Sequence, residues 1–291
     1  MNKELFLLPF DHRKSFFRDI MDVKGKIAQN HIDQASELKD IIFEGFEDAA
    51  KGFKNKKDLG ILVDEYLGGA VIKKAKKEKI TLCLPVEKSG EDLFDFEFGK
   101  NFGAHIKKIK PDFVKVLVRY NPDNESANQK QLERLARLND FCKKEKYPLI
   151  LELLVPAAKN DLQICKTVPM YDKKLRPRKT EQAIRELSEK IKPDIWKLEG
   201  FAKKDWPAII AATGENSRII VLGRGQDQAR VEAWLRDAAT FKQVIGFAIG
   251  RTVFAEPLAH YFKGDLSRRE AALYIALKFS YFINFWLTLK K

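Results

Sequence analysis

Cysteine and histidine are scarce in this chain of 291 residues, at three and four copies. Cys83, Cys142 and Cys165 are odd in number and lack metal-ligand spacing. They exclude a disulfide framework and read as reduced thiols, so a cytoplasmic setting is expected. A zinc enzyme needs several N or S ligands together. Of His12, His31, His105 and His260, only His12 stands at the end of an apolar run. Neither a metal nor a cofactor is therefore expected. Neither Gly99-Lys-Asn-Phe-Gly-Ala-His105 nor Leu222-Gly-Arg-Gly225 completes a GxGxxG turn after a strand, which argues against dinucleotide binding. No apolar run of about 18 residues occurs, so no membrane span is expected. The nearest stretch, 271–289, contains Lys278, Ser280 and Asn284 and reads as a packed last helix. The opening Met1-Asn-Lys-Glu4 precedes only a short apolar run, and no secretory leader is expected.

Positive charge is in excess, at +13. The lysines are mixed with acids, as in Lys73-Lys-Ala-Lys-Lys-Glu-Lys79, and carry no aromatic-basic signature. A solvated surface explains them better than nucleic-acid binding does. Attraction for an anionic, phosphorylated small molecule is compatible with the same charge.

Against these absences stand eight short apolar runs, at 5–10, 59–63, 80–84, 113–118, 149–154, 195–198, 219–222 and 244–249. Near-continuous apolar runs suit parallel strands covered on both faces. Helical patterns separate them, such as 129–144 with Leu132, Leu135, Leu138 and Phe141 on one face, and 179–191. Alternation of this kind predicts an α/β fold, a (β/α)8 TIM barrel, as one domain over 1–291. The stretch 11–58 is long enough for more than one helix. The loop 156–179, with Pro169 and Pro177, is placed to cover the barrel mouth.

Barrel chemistry sits at the C-terminal ends of strands. Those ends read Pro9-Phe-Asp-His-Arg13, Lys115-Val-Leu-Val-Arg-Tyr-Asn121, Glu152-Leu-Leu-Val-Pro156, Trp196-Lys-Leu-Glu-Gly200, Leu222-Gly-Arg-Gly225 and Ile249-Gly-Arg-Thr252. Residues two apart on a strand share a face, so Lys115 and Arg119 are expected to point together, as are Lys197 and Glu199. A free lysine, with a pKa of about 10.4, is a poor nucleophile near neutrality. A neighbouring cation and an apolar surround lower that value, and such an amine attacks carbonyls to give a Schiff base. Lys197 is the candidate nucleophile, with Lys115 beside it. Glu152 or Asp11 would move the protons. The bland alternative is a structural network in which each lysine pairs with a carboxylate. Gly223, Arg224, Gly225, Gly250 and Arg251 follow the last two strands, where barrels recurrently bind phosphate. Tight turns alone would also explain the glycines. Arg13 is a further candidate for substrate binding. Arg119 either holds a substrate carboxylate or pairs with Asp123 or another acid.

These strand ends, with Gly246-Phe-Ala-Ile-Gly-Arg-Thr-Val-Phe254, resemble the aldolase-like domain fused to bacterial 5-dehydro-2-deoxygluconokinase in inositol catabolism. That domain is similar to the class I tagatose-1,6-bisphosphate aldolases. The resemblance spans nearly the whole chain and is specific in the strand-end motifs. It implies a Schiff-base lysine at Lys197, an assisting lysine at Lys115, an acid–base glutamate at Glu152 and an aspartate at Asp11. It implies phosphate contacts from Gly223 through Arg224 to Gly225 and at Gly250-Arg251. The tagatose enzymes carry an aromatic residue where Arg119 stands. A carboxylate bound there implies a phosphorylated keto acid, 2-deoxy-5-keto-gluconate 6-phosphate, cleaved to dihydroxyacetone phosphate and malonate semialdehyde. The alternatives are a tagatose- or fructose-bisphosphate-type aldolase, a sugar-phosphate isomerase or epimerase on the same barrel, and a non-catalytic basic binding protein. The Phe279, Phe282 and Phe285 stripe serves either the barrel's own core or a homo-oligomer interface.

Overall fold

A computed structural model describes residues 4–214 and 217–291. Strands and helices alternate as β1 (Leu5–Pro9), α1 (Lys14–Asp19), α2 (Gln29–Lys51), β2 (Leu59–Leu62), α3 (Glu65–Lys77), β3 (Thr81–Pro85), α4 (Phe102–Ile109), β4 (Phe113–Arg119), α5 (Glu125–Glu145) and β5 (Leu149–Leu154). The second half continues through α6 (Lys159–Cys165), α7 (Val168–Lys174), α8 (Arg176–Ser188), β6 (Ile195–Leu198), α9 (Trp206–Thr213), β7 (Arg218–Leu222), α10 (Gln228–Ala239), β8 (Val244–Ala248), α11 (Arg251–Lys263) and α12 (Arg268–Leu289). All eight strands pair in parallel and in chain order, and β8 closes on β1. This is the (β/α)8 barrel that the alternation of apolar runs and helical patterns predicts.

Inside the barrel, Leu5, Leu7, Leu62, Cys83, Ile150, Ile195, Ile220 and Ala248 form a compact apolar cluster. A larger layer lies between strands and helices, with Phe6, Val114, Leu151, Trp196 and Phe247 facing outward into it. Burying each such side chain contributes about 1.5–3 kcal/mol. Alternation along β5 and β6 then decides where polar groups go. Ile150 and Ile195 share the interior cluster, and the residues two further on, Glu152 and Lys197, share that face. The register of β5 and β6 pairs Glu152 directly with Lys197.

The stretch 11–58 holds two helices, α1 and α2. The expected mouth cover does not come from 156–179, which folds as α6, α7 and the start of α8 and packs beside the barrel. Thr167 caps α7, and the Tyr171 hydroxyl donates to the Val155 carbonyl at 3.0 Å. The mouth is instead flanked by the loop after β3, residues 87–92. By length and composition α12 could cross a membrane. Its Ile275, Phe279, Phe282 and Trp286 are buried in the barrel's outer layer, and Phe279 packs 5.9 Å from Phe46 of α2, ring centre to ring centre. Phe285 is half-buried, and Leu273, Tyr274, Leu277 and Tyr281 are exposed. All three cysteines are free and buried.

Candidate active site

A cavity of about 530 Å³ opens at the C-terminal end of the strands. Asp11, Glu87, Lys115, Glu152 and Lys197 share its wall. Their charged groups meet in one buried cluster. The Lys197 Nζ lies 2.8 Å from Glu152 Oε2. The same oxygen lies 2.9 Å from Lys115 Nζ. Lys115 also reaches Asp11 Oδ2 at 2.9 Å and Glu87 Oε1 at 2.7 Å.

Burial opposes the Lys115 charge, but Asp11, Glu152 and Glu87 outweigh it and hold this ammonium well above the usual lysine value. It is a fixed cation. Burial would likewise raise Glu152, yet Lys115 and Lys197 overcome that and hold its carboxyl below the usual range. Asp11 is pulled down in the same way, against its burial, by Lys115 and then Lys197. Both acids are therefore ionised at neutral pH and accept protons rather than donate them. His12 is pushed down to about 4, first by burial and then by Arg251, Lys39 and Lys197, so it is neutral at pH 7. Among the described residues its buried Nδ1 has no hydrogen-bond partner.

Lysines 115 and 197 thus differ in kind. Three carboxylate oxygens surround Lys115. Lys197 meets one, shared with Lys115, and borders the cavity. The arrangement offers an amine in contact with an ionised carboxylate, beside a space large enough for a small substrate.

Arg119 lies on the cavity rim and is exposed. Among the described residues it has no carboxylate within ion-pair distance, and its Nη1 donates to the Glu91 carbonyl at 3.2 Å. Asp123 pairs with Lys179 instead. Arg13 also borders the cavity, but Glu97 Oε2 at 2.9 Å and the Glu87 carbonyl at 2.6 Å occupy its guanidinium. Glu199 does not join Lys197. It lies past the end of β6 and pairs with Arg176 and Arg224.

On the opposite wall, Gly223, Arg224, Gly225, Gly250 and Arg251 line the cavity. Gly225 has φ +68°, and a Cβ there would meet the Arg251 guanidinium carbon at 2.7 Å. Glycine at this point lets Arg251 lie across the loop. A Cβ on Gly250 would meet the Pro9 carbonyl at 2.1 Å, so only glycine fits where α11 begins against β1. No side chain caps α11 at that end. Its first N–H groups are suited to an anion. Arg251 pairs with Asp19 at 3.2 Å.

This geometry can be set beside known proteins. The family model DUF2090, described as an uncharacterized protein conserved in bacteria, matches residues 1–290. The chain belongs to the DUF2090 family. No curated protein matches it. Among solved structures, a Schiff base forming fructose-1,6-bisphosphate aldolase is similar to this DUF2090 chain with TM-score 0.58 and 18% identity, over 94% of this chain and 92% of that one. An archaeal fructose-1,6-bisphosphate aldolase with its catalytic lysine covalently bound to a carbinolamine intermediate has TM-score 0.56 and 16% identity, over 94% of each chain. The fructose-bisphosphate aldolase of Slackia heliotrinireducens has TM-score 0.57 and 12% identity, over 94% and 85%. At these identities the likeness shows the barrel fold.

Two charged residues at this end of the barrel are absent from the sequence-based site. Glu87 follows β3 by two residues, and the run 80–84 with the acid just beyond it in Pro85-Val-Glu87 is its signal. Lys39 of α2 is fully buried, pairs with Asp64 and donates to the His12 carbonyl at 2.9 Å. Nothing in the helical pattern of α2 separates this lysine from a surface one. Among the described residues, no group of three or more His, Cys, Asp and Glu side chains is arranged to hold a metal ion.

Proposed function

We propose that the protein is a class I aldolase that cleaves a phosphorylated keto substrate through a Schiff base on Lys197. The observation that carries this reading is the contact of Lys197 with the ionised Glu152 at 2.8 Å beside an open cavity. The named neighbours add support, since a Schiff base and a lysine carbinolamine belong to aldolases of the same barrel.

In this mechanism Glu152 takes a proton from the Lys197 ammonium. The freed amine bonds to the ketone carbon, and its remaining extra proton passes to the ketone oxygen, giving a carbinolamine. Protonated Glu152 returns its proton to that oxygen, which leaves as water, and an iminium forms. Glu152, ionised again, then takes the proton of the substrate hydroxyl two carbons from the iminium carbon. The bond between that hydroxyl-bearing carbon and the carbon next to the iminium breaks, its electron pair moves toward the iminium, and an aldehyde leaves. Asp11 orients that hydroxyl. Lys115 keeps Glu152 ionised and in place. Water later releases the ketone product after the enamine carbon is protonated.

The phosphate sits at Gly223, Gly225 and the start of α11, with Arg251. Arg119, at the end of β4, lies across the eight-stranded barrel from β8 and is free to take a second anion. This favours a keto acid such as 2-deoxy-5-keto-gluconate 6-phosphate, the substrate that the resemblance of the strand-end motifs implies, giving dihydroxyacetone phosphate and malonate semialdehyde. A sugar bisphosphate is the second reading, favoured by the activity named for the structural neighbours. Incubation with each compound, with release of dihydroxyacetone phosphate measured by a coupled reduction, tests both. Release from the keto acid is expected. Release from neither would contradict the aldolase reading.

A further inference from the structure

Glu87 lies outside the set of residues that this mechanism uses. The residue is buried, at 8% exposure. Oε1 meets Lys115 Nζ at 2.7 Å, while the buried Oε2 has no hydrogen-bond partner among the described residues. Its main chain is held as well. Arg13 Nη2 donates to its carbonyl, and Glu87 forms an isolated antiparallel bridge with Phe96. A carboxylate tied at both main chain and side chain is not a solvated surface charge.

An ammonium group has three N–H donors. Asp11, Glu87 and Glu152 supply three oxygens around Lys115. Lys115 has no donor left for a substrate unless one acid lets go. The cluster also counts three carboxylates against the two ammonium groups of Lys115 and Lys197. A surplus of buried negative charge makes nearby groups hold their protons more tightly. Glu87 and Glu152 touch the same nitrogen, so their like charges lie within roughly 6 Å of one another. The other charged or titratable groups facing this cluster are His12 and Arg13 after β1, Lys39 from α2, Cys83 of β3 and Arg251 after β8.

We propose that Glu87 is a positioning residue for the reaction: it occupies one donor of Lys115 and, as the third carboxylate, sets the pH range over which Lys197 and Glu152 exchange a proton. The inference rests on the aldolase reading. With Asp11, Glu87 divides the pull of Lys115, and its own charge keeps Glu152 basic enough to take a proton from the amine. Glu87 itself does not touch the substrate.

The test is the pH dependence of the adduct formed with dihydroxyacetone phosphate and cyanoborohydride, read by intact mass. Wild type, Glu87→Gln and Glu87→Asp are compared. Removing the charge in Glu87→Gln moves the profile toward acid by roughly one to two pH units, the scale of a unit charge at this range. Glu87→Asp, which keeps the charge, follows wild type. Glu87→Ala predicts the same acid shift as Glu87→Gln and stands in if that variant does not fold. A Glu87→Gln profile coincident with wild type overturns the inference, as does an equal shift in Glu87→Asp. Wild type that traps no adduct at any pH sinks the aldolase reading and this inference with it. Trapping by wild type with no shift in the variant sinks this inference alone.

Discussion

Arg224 Nε lies 3.0 Å from Glu199 Oε1. The same guanidinium reaches Asp172 Oδ2 at 2.6 Å, so an arginine just past β7 ties the end of the Lys197 strand to α7. Burial pushes the Glu199 carboxyl up, against the pull of Arg176 and Arg224. Removing Arg224 leaves this buried acid with Arg176 and the Val155 N–H. Arg224→Gln is therefore expected to cost stability, by about 1–3 kcal/mol, because a buried acceptor loses its donor. Arg251→Gln is expected to spare stability and raise KM for a phosphorylated substrate by roughly tenfold or more, the scale of one charge-assisted bond. Urea unfolding and steady-state kinetics on the two variants separate the roles.

Lys115 is the keystone of the charge cluster. Lys115→Met would remove the ammonium partner of Asp11 and Glu87 and leave Glu152 paired with Lys197. Loss of one member of a buried ion pair costs about 3–5 kcal/mol. Equilibrium unfolding at neutral pH should show a loss in that range. A loss below about 1 kcal/mol, the scale of a solvated surface pair, would contradict the buried cage.

Acid should weaken the fold in two stages. His12 has an ordinary value of 6.5 and a folded value of about 4. As pH falls between these, the unfolded chain binds the proton first, so stability drops with falling pH. Asp11 and Glu152 are held below the usual carboxylate range, and their contribution is lost at still lower pH. His12→Gln should flatten the upper stage and leave the lower one. Urea midpoints measured at about pH 7, 5.5, 4.5 and 3 check both stages, the first three covering the histidine interval and the last the carboxylates.

Arg119 decides between the two substrate readings. Arg119→Met is expected to lower kcat/KM for a phosphorylated keto acid by roughly tenfold to a hundredfold, the value of a charge-assisted contact. The side chain is exposed and has no carboxylate partner among the described residues, so stability should not change. Equal loss of activity toward keto acid and bisphosphate would assign Arg119 to general anion attraction.

The barrel is legible because its strands are buried on both faces and appear as bare apolar runs. Lys115, Glu152 and Lys197 are legible because each breaks such a run. What the runs do not contain is register. Glu152 and Lys197 become direct partners only when β5 and β6 pair, and that pairing depends on the whole closed sheet. Arginine partners are equally hidden. Arg13 and Arg224 stand at strand ends like Arg251, but a long guanidinium arm ends where tertiary contacts put it. Glu97 takes the first, and Glu199 with Asp172 takes the second. The segment 156–179 has loop-like prolines, yet Pro169 and Pro177 stand in the first turns of α7 and α8, where proline is tolerated.

Borohydride reduction in the presence of dihydroxyacetone phosphate, followed by peptide mass mapping, tests the central role of Lys197 most directly. The expected result is one covalent adduct on Lys197, absent from a folded Lys197→Ala variant. An adduct confined to Lys115, or none while the protein still cleaves its substrate, would contradict it.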